Sequence, residues 1–142
     1  MSIKPTTREQ LVSRFHHAMG LDISSQPRVS LLQLRRSLIS EETSEVIHAL
    51  EVLEFELMRG NPGTKEQWAH LLKELADLQY VLSGTVVSLY PLSGGLRTAF
   101  NRVHNSNMSK FGDDGKPLYR ADGKIIKGPN YQEPDLGDLI YG

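Results

Sequence analysis

The sequence predicts an all-α fold, a bundle of about four helices followed by a loop-rich C-terminal tail. Three observations point there. Apolar residues recur at helical spacing over four segments, and Gly- and Pro-bearing breaks such as "RGNPG" separate them. No stretch alternates at period two for long, so strands are not expected beyond a short hairpin near residues 117–126.

The first helix begins in "TTREQLVSRFHHAMGL", where Thr6 or Thr7 offers a hydroxyl cap, Leu11, Phe15 and Met19 recur on one side, and Gly20 ends the pattern. "DISSQP" then supplies loop chemistry. A long second helix runs from about Val29 to Met58 and stops at Gly60, Asn61, Pro62 and Gly63. The third starts from a Thr64 cap and reaches about Leu89, with Leu71, Leu75, Leu78, Val81 and Leu82 on its apolar side. A shorter fourth, "LRTAFNRVHNSNMSKF", leads into a tail rich in Gly, Pro, Lys and Asp. Such a tail is either a disordered end or a functional loop packed on the bundle. The expected organisation is a single domain over residues 1–142, with a helical core of about 6–111 and a tail of about 112–142.

Composition narrows the chemistry. A net charge of -1 argues against a protein that coats nucleic acid or an anionic membrane. The absence of cysteine excludes disulfides, thiolate metal sites and cysteine nucleophiles, so any metal must be held by oxygen or imidazole. "MSIKPTTREQ" lacks an apolar signal core and no run is long enough to span a membrane, so a soluble, cytoplasmic protein is expected, in the host cytoplasm if a phage encodes it.

The informative stretch is "LISEETSEVIHALE". At about 100° per residue, Leu31, Leu34, Leu38, Ala49, Val52 and Leu53 form one stripe, with Glu42 and Glu45 inside it and Glu41 at its edge. In "HLLKELADLQYVL", Glu74 borders the apolar side and Asp77 lies at its flank, three residues on. If the two helices are antiparallel across "RGNPG", the two acid pairs face each other. Carboxylates so close repel unless a cation joins them, and hard divalent ions such as Mg2+ and Mn2+ prefer oxygen ligands. A single ExxE or ExxD is more often solvated surface; two pairs set against apolar stripes on consecutive helices are much less ordinary. Glu45 and His48 make one ExxH spacing, but a di-iron bundle needs two, and no second exists.

"EETSE" followed by "ELAD" resembles the EExxE and ExxD motifs of the MazG-like, all-α nucleoside triphosphate pyrophosphohydrolases. "RFHHAMGL", "VHNSNMSK" and "RADGKIIKGPNY" are similar to the layout of a phosphoribosyl-ATP-pyrophosphohydrolase-like branch found in bacteria and phages. The resemblance implies a MazG-like bundle that cleaves a nucleoside triphosphate between its α and β phosphates, using two or three Mg2+ ions, with Mn2+ able to substitute. It implies Glu42, Glu45, Glu74 and Asp77 as ligands and Glu41 as a ligand or the base that orients water. Asn105, Asn107 and Lys110, with Lys124, Lys127 and Tyr131, become the substrate contacts; by themselves these are side chains that any exposed helix end or loop carries. Asn101 belongs to the same helix end, and Phe15 and Trp68 are further aromatic candidates for stacking on a base.

Val46, Leu50 and Leu57 form a second apolar stripe on the long helix that needs a partner, and self-association is the economical answer. Together with the resemblance this predicts a homodimer or homotetramer. Part of the resembled group, in phages that replace adenine with diaminopurine, acts on purine deoxynucleotides, which makes dGTP the leading substrate and dATP the second. The alternatives are housecleaning of dUTP or damaged nucleotides, and a non-enzymatic helical interaction module.

Overall fold

The Thr7 hydroxyl accepts from the Gln10 amide while the Gln10 side chain accepts from the Thr7 N–H at 2.8 Å, a reciprocal cap that starts the first helix. In the computed structural model, which describes residue 4, residues 6–93 and residues 95–141, this helix, α1, spans Arg8–Met19. Gly20 closes it in the left-handed region at φ 67°, where glycine carries no Cβ penalty. Its buried face differs from the expected one. Val12 and His16 are buried, whereas Leu11, Phe15 and Met19 remain on the exposed side. One step of register along the helix moves the buried row from the larger side chains to a valine and a histidine.

Asp22 accepts from Ser25 Oγ at 2.8 Å and from both terminal nitrogens of Arg28 at 2.9 Å, which folds the loop before α2 (Val29–Met58). Ser24 and Ser25 donate backbone hydrogen bonds to Val87 O and Ser88 O, both at 2.8 Å, and so pin that loop to the end of α3 (Lys65–Ser88). The α2–α3 turn needs its glycines: Gly60 and Gly63 lie at φ 80° and 78°, and a Cβ on Gly63 would meet Leu53 Cδ2 at 2.7 Å. Thr64 and Gln67 repeat the reciprocal cap of α1. The result is an antiparallel hairpin in which Leu31, Ala49 and Leu53 of α2 and Leu71, Val86 and Val87 of α3 are buried, with α1 packed on α3.

The apolar stripes are narrower than expected. Leu34, Leu75 and Leu82 are 48%, 45% and 38% exposed, and the place beside Leu31 that Leu34 was expected to share is taken by a buried Arg35.

The chain divides into two compact units, Met1–Pro91 and Leu92–Gly142. In the second, α4 covers Leu96–Met108 and stops three residues short of Phe111, the end that the sequence suggested. The tail is packed on it. Ser106 Oγ donates to Gln132 O at 2.6 Å, Gln132 N donates to Ser109 Oγ at 2.9 Å, and Arg102 grips Asp138 while also donating to Asp135 O at 2.9 Å. At the expected hairpin there is a single antiparallel bridge, Tyr119 to Ile125, and no longer strand forms among the described residues. No described helix is long and apolar enough to cross a membrane.

Candidate metal centre

Glu42 and Glu45 leave α2 on adjoining turns, and Glu74 leaves α3 opposite them. Each offers one carboxylate oxygen, and these three oxygens lie within 4.8 Å of one another. The hairpin makes this meeting inevitable once the "RGNPG" turn sets the register. Glu74 is buried at 3% exposure and Glu42 is half-buried. Glu45, expected to point inward, is exposed: it stands at the mouth of the cluster, about a sixth of a turn off the line of Glu42, Ala49 and Leu53.

The electrostatics of the cluster are those of crowded carboxylates. One oxygen of Glu42 and one of Glu74 are buried with no hydrogen-bond partner, a state that costs free energy unless something else satisfies them. The Glu45 carboxyl is pushed above its usual range, chiefly by a hydrogen bond to Glu74, then by burial, then by the negative charges of Glu42 and Glu74. Lys73 relieves part of the load, with its Nζ 3.3 Å from Glu74 and 2.8 Å from Asp77. These contacts hold the Lys73 ammonium well above its ordinary value, the one to Asp77 most of all. His70 Nε2 lies 3.5 Å from the same Glu74 oxygen.

The donor set suits a hard divalent ion. All three clustered donors are carboxylate oxygens, two of their neighbouring oxygens are buried without a partner, and no thiolate exists in the chain. Asp77 is half-buried and engaged by Lys73, outside the group of three; Glu41 is exposed on α2, one residue before Glu42.

The second unit gathers part of the expected cationic set. Lys127 Nζ sits 4.6 Å from the Tyr131 ring centroid and Lys110 Nζ 6.0 Å from the same ring. Gly128 makes that convergence possible, since its N–H donates to Lys110 O at 3.0 Å and a Cβ there would meet the same oxygen at 2.8 Å. Asn105 lines a cleft of about 340 Å3 with Arg102, Ser109 and Gln132. Asn101, Asn107 and Lys124 are exposed, and the Lys124 backbone N–H donates to Asp122 at 3.1 Å. In the first unit, Trp68 is tied to the turn through Nε1 and Pro62 O at 2.9 Å, and Phe15 meets Tyr80 edge-on at 5.6 Å.

Sequence reasoning overlooked Arg35, His16, Lys73 and His70. Arg35 lies seven residues before Glu42, hence on the same face of α2, and a glycine inside α3, Gly84, was the signal that a bulky group approaches there.

A family model described as phosphoribosyl-ATP pyrophosphohydrolase matches residues 12–107, about two thirds of the chain, from within α1 to the last turn of α4. No curated protein matches the sequence.

Proposed function

The chain belongs to the phosphoribosyl-ATP pyrophosphohydrolase family, and from that we propose that it hydrolyses a nucleoside triphosphate between the α and β phosphates, yielding the monophosphate and pyrophosphate. Family membership gives nucleotide pyrophosphohydrolase activity in general. The observation that supports the finer reading is the Glu42, Glu45 and Glu74 cluster, with its two buried oxygens that lack partners.

In this reading Glu42, Glu45 and Glu74 hold Mg2+, or Mn2+ in its place, and Asp77 joins them once Lys73 lets go of it. A bound divalent ion would polarise phosphate oxygens and make an attacking water more acidic. The side chains do the rest. Glu41, exposed beside the cluster, accepts the proton of that water as it attacks the α phosphorus, and the bond to the bridging oxygen breaks as pyrophosphate departs. Lys73, freed from Asp77, is near enough to the acids to reach a phosphate oxygen instead. Lys110, Lys124, Lys127 and Tyr131, with Asn105 and Asn107, are assigned to the rest of the nucleotide. We assign dGTP as the leading substrate and dATP as the second, on the resemblance of the Asn/Lys and GK segments. The protein is read as a homodimer or homotetramer, a proposal supported by the exposed Leu50 and Leu57.

A panel of common and modified nucleoside triphosphates with Mg2+, following pyrophosphate against orthophosphate, tests the proposal. Pyrophosphate release, fastest with dGTP, is the expected result. Release of orthophosphate alone overturns the choice of bond. No hydrolysis of any nucleotide, together with an unchanged protein on Glu74→Gln, favours the helical interaction module.

A further inference from the structure

Arg35 takes no part in the site described so far, yet it is only 6% exposed. Burying a guanidinium is costly, and a buried arginine ordinarily faces a carboxylate. This one does not: no acid pairs with Arg35 among the described residues. Instead its Nε donates to Thr85 Oγ1 at 3.1 Å and its Nη2 to Val81 O at 2.8 Å. Burial pulls its pKa below the usual arginine value, while an arginine stays charged across the biological range. Gly84 makes the room: a Cβ there would lie 2.6 Å from Arg35 Nη2 and 3.1 Å from His16 Nε2.

The placement has a pattern. Arg35 is seven residues before Glu42 on α2, and its acceptor Val81 is seven residues after Glu74 on α3. Seven residues are close to two helical turns, so on both helices the cation lies on the line of the acids, about 10 Å away along the seam. A charge fixed between two packed helices is poorly screened by solvent and acts over that distance.

We propose that Arg35 is a positioning residue that acts through Glu42, Glu45 and Glu74, a fixed internal cation that steadies the clustered acids and lowers their affinity for a free divalent ion. The ion is then admitted chiefly together with a polyphosphate, whose own negative charge offsets the repulsion. This inference rests on the metal reading of the acid cluster. For one positive charge facing a dication at about 10 Å, Coulomb's law gives a change in affinity of about fourfold at the dielectric of water and a few hundredfold at an effective dielectric of about 20, so a change on the order of tenfold or more is expected.

Binding of Mn2+ alone, titrated by electron paramagnetic resonance without nucleotide, tests it. Arg35→Gln places an amide nitrogen where Nε lies, keeping a donor for Thr85 Oγ1, and drops the charge; Arg35→Lys keeps the charge and shortens the reach. The expected result is Mn2+ binding tighter by about tenfold or more in Arg35→Gln and within about threefold of the original in Arg35→Lys. If Arg35→Gln does not fold, Arg35→Met serves as the charge-free variant, since apolar replacement of a buried charge is often tolerated. A merely structural arginine would move both variants together and loosen the site. Equal or weaker binding in the charge-free variant overturns the inference and leaves the metal reading intact, whereas no Mn2+ binding by any form, the unaltered protein included, overturns both.

Discussion

Glu74 concentrates the conflict that a metal site imposes on a fold. It is buried against Glu42 and Glu45, with one oxygen unpartnered, so the metal-free protein carries a local strain that Glu74→Gln relieves. We expect that variant to melt higher than the unaltered protein in chelator, by about 1 kcal/mol of stability, and to lose turnover on the order of a hundredfold or more. Added Mg2+ or Mn2+ should no longer raise its melting temperature, although it should raise that of the original. Scanning calorimetry with and without the ion reads both effects, and a variant equally stabilised by Mn2+ would remove Glu74 from the ligand set. The acidity of single residues adds a second expectation. The Glu45 carboxyl is raised in the folded chain, so its contribution to stability is full below the ordinary carboxylate pKa and is lost as pH climbs through the folded value. Asp22 behaves oppositely: Arg28, Ser25 and their hydrogen bonds hold it at about 2, so its contribution is present above the unfolded value of 3.8 and disappears as pH falls towards about 2. In chelator, Glu45→Gln should flatten the loss of stability above the carboxylate range. Asp22→Asn should cost about 1 kcal/mol at neutral pH and flatten the acid limb, as urea titrations across pH would show.

Elements carry a different lesson, because local signals fixed where helices begin but not which side chains they bury. Thr64 could be read as a cap, and Thr7 as one of two candidates with Thr6, since a hydroxyl just before a helical pattern is a local signal; the reciprocal bond from Gln10 or Gln67 appears only in the fold. The meeting of Glu42 and Glu45 with Glu74 was also legible, because an apolar stripe interrupted by acids on two consecutive helices leaves few other arrangements. Arg35 was not legible: helical periodicity assigns the inner row to apolar residues, and a guanidinium enters it only because a glycine near the end of α3 leaves the space. That dependence can be measured. Gly84→Ala should gain about 1 kcal/mol of helix propensity and lose more through displacement of the Arg35 fork, for a net cost of about 1–2 kcal/mol. Made in an Arg35→Met background, the same substitution should become neutral or stabilising. Denaturant unfolding of the four proteins closes the double-mutant cycle, and additive effects would separate Gly84 from Arg35.

At the scale of the molecule, the first unit exposes large apolar side chains on both helices of its hairpin. α1 covers α3 at Tyr80, Ser83 and Gly84, while Ile47, Leu50 and Leu57 of α2 and Trp68, Leu72 and Leu75 of α3 are each 45% exposed or more. Near the turn, Leu50, Leu57, Met58, Trp68 and Leu71 line an open groove of about 540 Å3. Contiguous apolar patches of this kind mark association surfaces, and two-fold pairing of identical copies is the commonest way to cover one. The exposure of Leu50 and Leu57 was readable from the surplus stripe on α2, although Val46, read with them, is buried; the extension across Trp68 and Leu72 was not, because it depends on which side of α3 the first helix takes. If a second copy lies there, Leu57→Glu should convert the protein to monomer in light scattering, since a desolvated charge at an apolar contact costs several kcal/mol. Leu57 lies about four turns along α2 from Glu42, so the monomer should keep its Mn2+ affinity within a few fold if the acid cluster is complete in one chain. A parallel loss of ion binding would instead place a residue of the neighbouring copy in the site. An unchanged oligomeric state would leave the groove to some other partner.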